Sequence, residues 1–238
     1  MSDVAAVRAV IDEQRHPALL MVDTISSLAS IDFRHDEWGV DVTVGGSQKG
    51  LMLPPGLGFN AVSDKALSAS LNATLPRAYW NWQDMLDANS NGFFPYTPAT
   101  NLLYGLREAL SMLLDEGLEN VFERHRRLAE ATRCAVATWQ LELLCLDSAA
   151  RSHSLTAVQL PEGVDADAFR ATVLARYNMS LGNGLGRLAG RVFRIGHLGD
   201  FNELMLIGTL GGVEMGLAAS GIAHQRGGVT AAMDYLSG

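Results

Sequence analysis

The sequence predicts an α/β fold in which a layered sheet is followed by a second, smaller α/β unit. Three observations lead to it. Over residues 1–72, short apolar or β-branched runs alternate with segments of helical periodicity. A nearly continuous helical pattern then fills residues 101–144, broken at Gly117. After it, strand-like and helix-like segments alternate once more. The division falls between residues 115 and 116, giving units 1–115 and 116–238.

The elements follow in order. Residues 3–15 repeat apolar side chains at helical spacing, with Ser2 or Asp3 as the cap. The run ALLMVD, residues 18–23, is short and apolar and ends in an acid, the pattern of a buried parallel strand. A second strand is expected over residues 40–44, a third in GLGFNAVS, and helix again in DKALSASLNA. Residues 76–100 are aromatic, polar and punctuated by proline, and read as a long irregular loop of functional or interfacial kind. Beyond the long helical span come a strand over 155–160, a helix in DADAFRATVLARY, short strands around Met179 and in RVFRIG, and two closing helices.

Composition narrows the class. At 48% hydrophobic and 18% charged residues over 238 positions, the chain is long enough and apolar enough for real cores. A net charge of −8 argues against a binder of nucleic-acid backbone. The densest basic run, Arg124, Arg126 and Arg127, reads as the wet face of a helix. No apolar run is long enough to span a bilayer, and the charged N-terminus is not a signal peptide. Cys134 and Cys145 fall in one helical pattern, where eleven residues separate them by about 16 Å, too far to bridge. Free thiols suit a reducing cytoplasm, and no Cys/His spacing reads as a metal site.

Chemistry concentrates in three residues. The chain has two lysines against sixteen arginines, and one of the two, Lys49, stands in VTVGGSQKGLMLPPGLGF, flanked by glycines. Only lysine offers an amine that can lose its proton and attack a carbonyl. Asp23 closes a strand in the same sheet, and ligands of open α/β sheets sit outside the carboxyl ends of strands. An amine and an acid converging there suit pyridoxal phosphate: the lysine forms the Schiff base, the acid pairs with the pyridinium nitrogen, and Ser47 and Gln48 can donate to the phosphate. Arg194, within RVFRIGHLG, shares a strand face with Val192 and fits a carboxylate with two hydrogen bonds. Each has a plainer reading: Asp23 as a cap or turn residue, Lys49 as a surface lysine, Arg194 in an intramolecular salt bridge. The glycine cluster SLGNGLGRLAG reads as a flexible turn that lets backbone and Arg194 approach a ligand.

These residues in their settings resemble the class V, fold-type I pyridoxal phosphate aminotransferases, and within them the serine–glyoxylate and alanine–glyoxylate group. The likeness runs through LLMVDTISSLASIDFRHDEWGVDVTVGGSQKGLMLPPGLG, FFPYTPATNLLYGLREAL and GRVFRIGHLG. It implies the C-terminal portion of such an enzyme: residues 1–115 are the remainder of the large cofactor-binding domain and residues 116–238 the small C-terminal domain. It implies pyridoxal 5′-phosphate as cofactor, with Lys49 as the Schiff-base and proton-shuttling residue. Asp23 is then the pyridinium partner, Ile25 packs on the ring, and Gln48 and Thr97 contact the phosphate, Thr97 in the neighbouring subunit's site. Arg194 grips the substrate carboxylate. The implied activity is transamination between serine or alanine and glyoxylate, in a cytoplasmic homodimer that binds neither nucleic acid nor membrane. Gln48 stands where cysteine desulfurases of the same class have histidine, which disfavours that activity. The family's N-terminal arm, first strands, phosphate-binding turn and ring-stacking aromatic precede Met1, so the chain reads as a truncated product or a mis-called start. Trp80 and Trp82 are not assigned the stacking role. The competing expectation is a catalytically inactive fragment that serves at most as an interaction domain.

Overall fold

The computed structural model describes residues 1–238. The chain forms two compact units, one of Asp3–Leu28 with Phe33–Asp115, the other of Glu116–Gly238 with Met1–Ser2 and Ala29–Asp32. They are called the Lys49 unit and the Arg194 unit.

The Lys49 unit begins with α1 (Val4–Glu13), whose N-cap Asp3 accepts a hydrogen bond from the Ala6 amide. Strands β1 (Met21–Asp23), β2 (Val42–Gly46) and β3 (Gly58–Val62) form a sheet in the order β1-β2-β3. β1 runs parallel to β2, with Asp23 opposite Val44, while β3 is antiparallel to β2. β2 is covered on both faces, as its β-branched sequence requires. β1 departs from the buried strand expected of ALLMVD: it is an edge strand, and Met21 is 62% exposed. Helix α2 (Asp64–Ser70) starts at Ser63, which caps the Ala66 amide.

Asp41 is the ionic knot of this unit. Its buried carboxylate takes the Leu20 amide at 2.8 Å, the Ser63 hydroxyl at 3.1 Å and Lys65 Nζ at 3.4 Å, with Arg8 at 3.6 Å. Burial alone would raise its pKa, but the Leu20 and Ser63 hydrogen bonds and the Lys65 charge outweigh that and hold it below the ordinary carboxylate value. Residues 76–100 are not wholly irregular, since α3 (Trp82–Asn89) forms there behind Asn81, which caps the Gln83 amide. Helix α4 (Thr100–Glu116) follows and lies against the loop after Lys49: a side chain at Gly105 or Gly56 would strike Leu53 or Leu102.

In the Arg194 unit, α5 (Leu118–Thr138) opens at Gly117, whose φ of +84° breaks the helical run as expected from the sequence. The helix stops earlier than expected. Gln140 takes the left-handed conformation, and β4 (Glu142–Leu143) follows where helix was expected. Cys145 therefore lies outside the helix, and both cysteines are free. Strands β5 (Leu155–Gln159), β6 (Gly182–Asn183) and β7 (Val192–Gly196) complete an antiparallel sheet in the order β4-β5-β7-β6. The strand expected around Met179 is thus β6, three residues later and only two residues long.

Helices α6 (Ala166–Tyr177), α7 (Glu203–Ala219) and α8 (Gly228–Ser237) pack with α5 on this sheet around Trp139, Phe169, Phe193, Leu206 and Leu210. Asp165 and Asn202 cap α6 and α7. α8 has no side-chain cap of its own; Glu214 of α7 accepts the Gly227 and Val229 amides instead and also the Trp139 indole. Arg124 and Arg127 are not merely a wetted face. Arg124 pairs with Glu116 and donates to the Gly199 and Phe201 carbonyls, and Arg127 reaches Glu203 and the Leu236 carbonyl.

Candidate active site

The turn that carries Lys49 is built on Ser47. This fully buried residue donates from its hydroxyl to the Pro54 carbonyl at 2.8 Å and accepts the Leu57 amide at 3.2 Å. Its own amide donates to the Leu57 carbonyl, and its carbonyl accepts the Leu53 amide. Ser47 is therefore committed to the loop and has no hydroxyl hydrogen left for a phosphate, which corrects the expectation for that residue. Gln48, exposed, remains available.

Lys49 is half-buried at the tip of this turn, and its main-chain oxygen accepts the Met52 amide at 2.9 Å. The contrast with the other lysine is informative. Lys65 Nζ is held by the Ala18 carbonyl at 3.0 Å and by Asp41. The amine of Lys49 has no acceptor and no carboxylate partner anywhere in the chain. One lysine is explained by the fold, the other is not.

Asp23 leaves the sheet at the end of the neighbouring parallel strand. Thr24 is pinned to β2 by its amide and its hydroxyl, both donating to the Val44 carbonyl at 2.8 and 3.0 Å. Asp23 Oδ1 accepts the Ile25 amide at 2.9 Å, so the plainer reading of Asp23 as a turn residue holds for one oxygen; Oδ2 is free of protein partners. The two segments meet over Gly46: a side chain there would come within 2.7 Å of Gln48 Oε1 and 3.6 Å of Ile25 Cγ2. Asp23, Ile25, Gln48 and Lys49 thus emerge from adjacent strand ends of one sheet. Thr97 lies exposed in the loop before α4, without a hydrogen-bond partner in the chain.

Arg194 belongs to the other unit, in β7. Its strand neighbours Val192, Phe193 and Ile195 are all buried, so both faces of β7 are covered around it. Arg194 forms no salt bridge, which removes its plainer reading, and its Nε donates to the Asn183 carbonyl at 2.8 Å. The glycine cluster is accordingly not a free turn, since part of it is β6, paired to β7. Sequence reasoning missed Gly182 and Asn183, for which a two-residue strand gives no periodic signal. No helix is long and apolar enough to cross a membrane, and no group of three or more acidic, histidine or cysteine side chains could hold a metal ion.

The donor set fits a pyridoxal ring: an unpartnered amine for its carbonyl, a carboxylate oxygen for its ring nitrogen, and an aliphatic side chain beside them. The fold agrees. Ureidoglycine–glyoxylate aminotransferase from Bacillus subtilis superposes with a TM-score of 0.91 at 28% identity over 100% of this chain and 62% of that one. The architecture is therefore that of the fold-type I pyridoxal phosphate aminotransferases. The class-V aminotransferase family model matches residues 1–187. Serine–glyoxylate aminotransferase of Methylorubrum extorquens is 52% identical over 99% of this chain and 60% of its own length. L-aspartate–glyoxylate aminotransferase of Paracoccus denitrificans is 46% identical over 98% of this chain and 59% of its own. The chain belongs to the class-V aminotransferase family, whose members depend on pyridoxal phosphate, and it spans about 60% of the length of these relatives.

Proposed function

We propose that this protein takes part in pyridoxal phosphate-dependent transamination, moving the amino group of a small amino acid, serine or alanine, to glyoxylate. The observation that carries the reading is the unpartnered amine of Lys49 beside the strand end of Asp23, in a chain of this family. The names of the relatives at 52% and 46% identity support glyoxylate as the acceptor.

Bound at this turn, pyridoxal phosphate supplies a carbonyl that an amine can attack and a cationic ring that accepts electron density from a bond breaking at Cα. The protein's part is to hold and to move protons. Lys49 Nζ would hold the cofactor by its carbonyl carbon and, as a free amine, would serve as the base for the proton on the substrate Cα. The free Oδ2 of Asp23 would accept the ring-nitrogen N–H, Ile25 would pack on the ring, and Gln48, with Thr97 from the neighbouring subunit, would donate to the phosphate. Arg194 binds the substrate carboxylate through a charge-assisted pair. A homodimer belongs to the same proposal: Trp80, 82% exposed, and Phe93, 70% exposed, offer apolar surface that a second copy would cover.

The test is turnover of serine and glyoxylate to hydroxypyruvate and glycine with the cofactor added. Activity should vanish in Lys49→Ala and persist in Lys65→Arg, which keeps the charge beside Asp41. Activity that survives Lys49→Ala would refute the reading. A second reading, in which these residues by themselves neither bind the cofactor nor turn over substrate, is motivated by the 60% span of the relatives. A protein that stays colourless and inactive with added cofactor would favour it.

A further inference from the structure

We propose that the edge strand β6 is the positioning element for Arg194, and that it leaves this arginine to grip a substrate carboxylate end-on, through its two terminal nitrogens. The inference rests on the reading of Arg194 as the substrate-carboxylate residue.

A guanidinium can chelate a carboxylate side-on, with Nε and one terminal nitrogen, or end-on, with both terminal nitrogens. The Arg194 unit shows the first mode three times. Arg124 holds Glu116 by Nε and Nη2 at 2.7 and 2.9 Å. Arg126 holds Glu123 the same way at 2.7 and 2.6 Å, and Arg133 holds Glu130 at 3.1 and 2.6 Å. Side-on chelation is thus the habit of this unit wherever a carboxylate can reach the Nε edge.

Arg194 is denied that mode. Its Nε–H is taken by the Asn183 carbonyl at 2.8 Å, and a carboxylate approaching the same edge would meet the negative end of that carbonyl dipole. Gly182 makes the arrangement possible. It sits opposite Arg194 in the ladder, and a Cβ there would lie 3.0 Å from Arg194 Cβ and 3.2 Å from its Nε. The arginine stem therefore runs along a bare Cα, and its Nε meets the next carbonyl along. Nη1 and Nη2 are left without protein acceptors, presenting two parallel N–H donors in a direction fixed by the sheet rather than by the rotamer freedom of a long side chain.

Two measurements on the 238-residue protein test this. The first is the Kd for glyoxylate, by calorimetry, in the parent, Gly182→Ala, Arg194→Ala and the double variant, with thermal midpoints recorded alongside. Gly182→Ala should weaken binding about tenfold at an unchanged midpoint, and the double variant should bind no worse than Arg194→Ala, because the glycine acts only through the arginine. The second needs no change at position 182. In the ¹⁵N spectrum of the parent, the Nε–H of Arg194, assigned by its loss in Arg194→Lys, should be slow to exchange and should stay at its position as glyoxylate is added. Parent-like binding by Gly182→Ala, with Arg194→Ala impaired, overturns the inference; so does an Nε–H resonance that moves to a carboxylate-bonded position. Parent-like binding by Arg194→Ala, or no binding by the parent, overturns the reading of Arg194 itself, and the inference falls with it.

Discussion

Ser47 Oγ donates to the Pro54 carbonyl at 2.8 Å, and this bond closes the loop whose tip is Lys49. Because the same oxygen accepts the Leu57 amide, Ser47→Ala removes two hydrogen bonds made by one fully buried side chain. The expected cost is about 2 kcal/mol, read as a lower urea midpoint by circular dichroism, together with weaker cofactor uptake as the Lys49 turn loosens. An unchanged midpoint would show that the loop does not depend on this serine.

Trp139, Gly228 and Glu214 form a second brace, in the Arg194 unit. The Trp139 indole donates to Glu214 Oε2 at 2.8 Å, and a Cβ on Gly228 would lie 2.2 Å from the same indole nitrogen. Glu214→Ala strips the indole and the first amides of α8 of their acceptor and should cost on the order of 3 kcal/mol. Gly228→Ala should destabilise by about as much through overpacking against a fully buried ring. Thermal unfolding of both variants checks this; a Gly228→Ala protein as stable as the parent would contradict the packing described.

Acid should loosen the same unit. His197 is buried, donates from Nδ1 to the His153 carbonyl at 3.0 Å, and meets the Thr156 hydroxyl at Nε2, 2.9 Å away. Burial drives its pKa down to about 4, and burial also lowers that of His125, whose Nε2 accepts the Gly199 amide. A base harder to protonate folded than unfolded gives stability that is full above its unfolded pKa of about 6.5 and is lost as pH falls toward 4. For His197 the loss is on the order of 3 kcal/mol. The fall in thermal midpoint between pH 7 and 4.5 should flatten in His197→Asn; an equally steep fall would assign the acid sensitivity to other groups.

Much of this was legible in the sequence where periodicity or rarity carries information. The parallel pair of β1 and β2 and the break at Gly117 follow from apolar runs, β-branching and a lone glycine in a helical pattern. Lys49 stood out because lysine is rare here and because glycines flank it after a strand, while the Asp41 knot that occupies Lys65 had no sequence signal. What stayed hidden was decided by pairing or by single backbone angles. α3 lay under aromatic and proline residues, with Asn81 as its only start signal. The early end of α5 depends on a left-handed Gln140, a conformation its residue type does not announce. β6 exists only as a partner of β7, so the residues that aim Arg194 had no signature of their own.

The central claim is that Lys49 is the amine that carries the cofactor, and the chain offers a clean assay of it because only one other lysine competes. The protein is incubated with pyridoxal phosphate, reduced with borohydride, digested and mapped by mass spectrometry. One pyridoxyl label is expected, on the peptide containing Lys49, and none after Lys49→Ala. A label on Lys65, or equal labelling of both lysines, would contradict it.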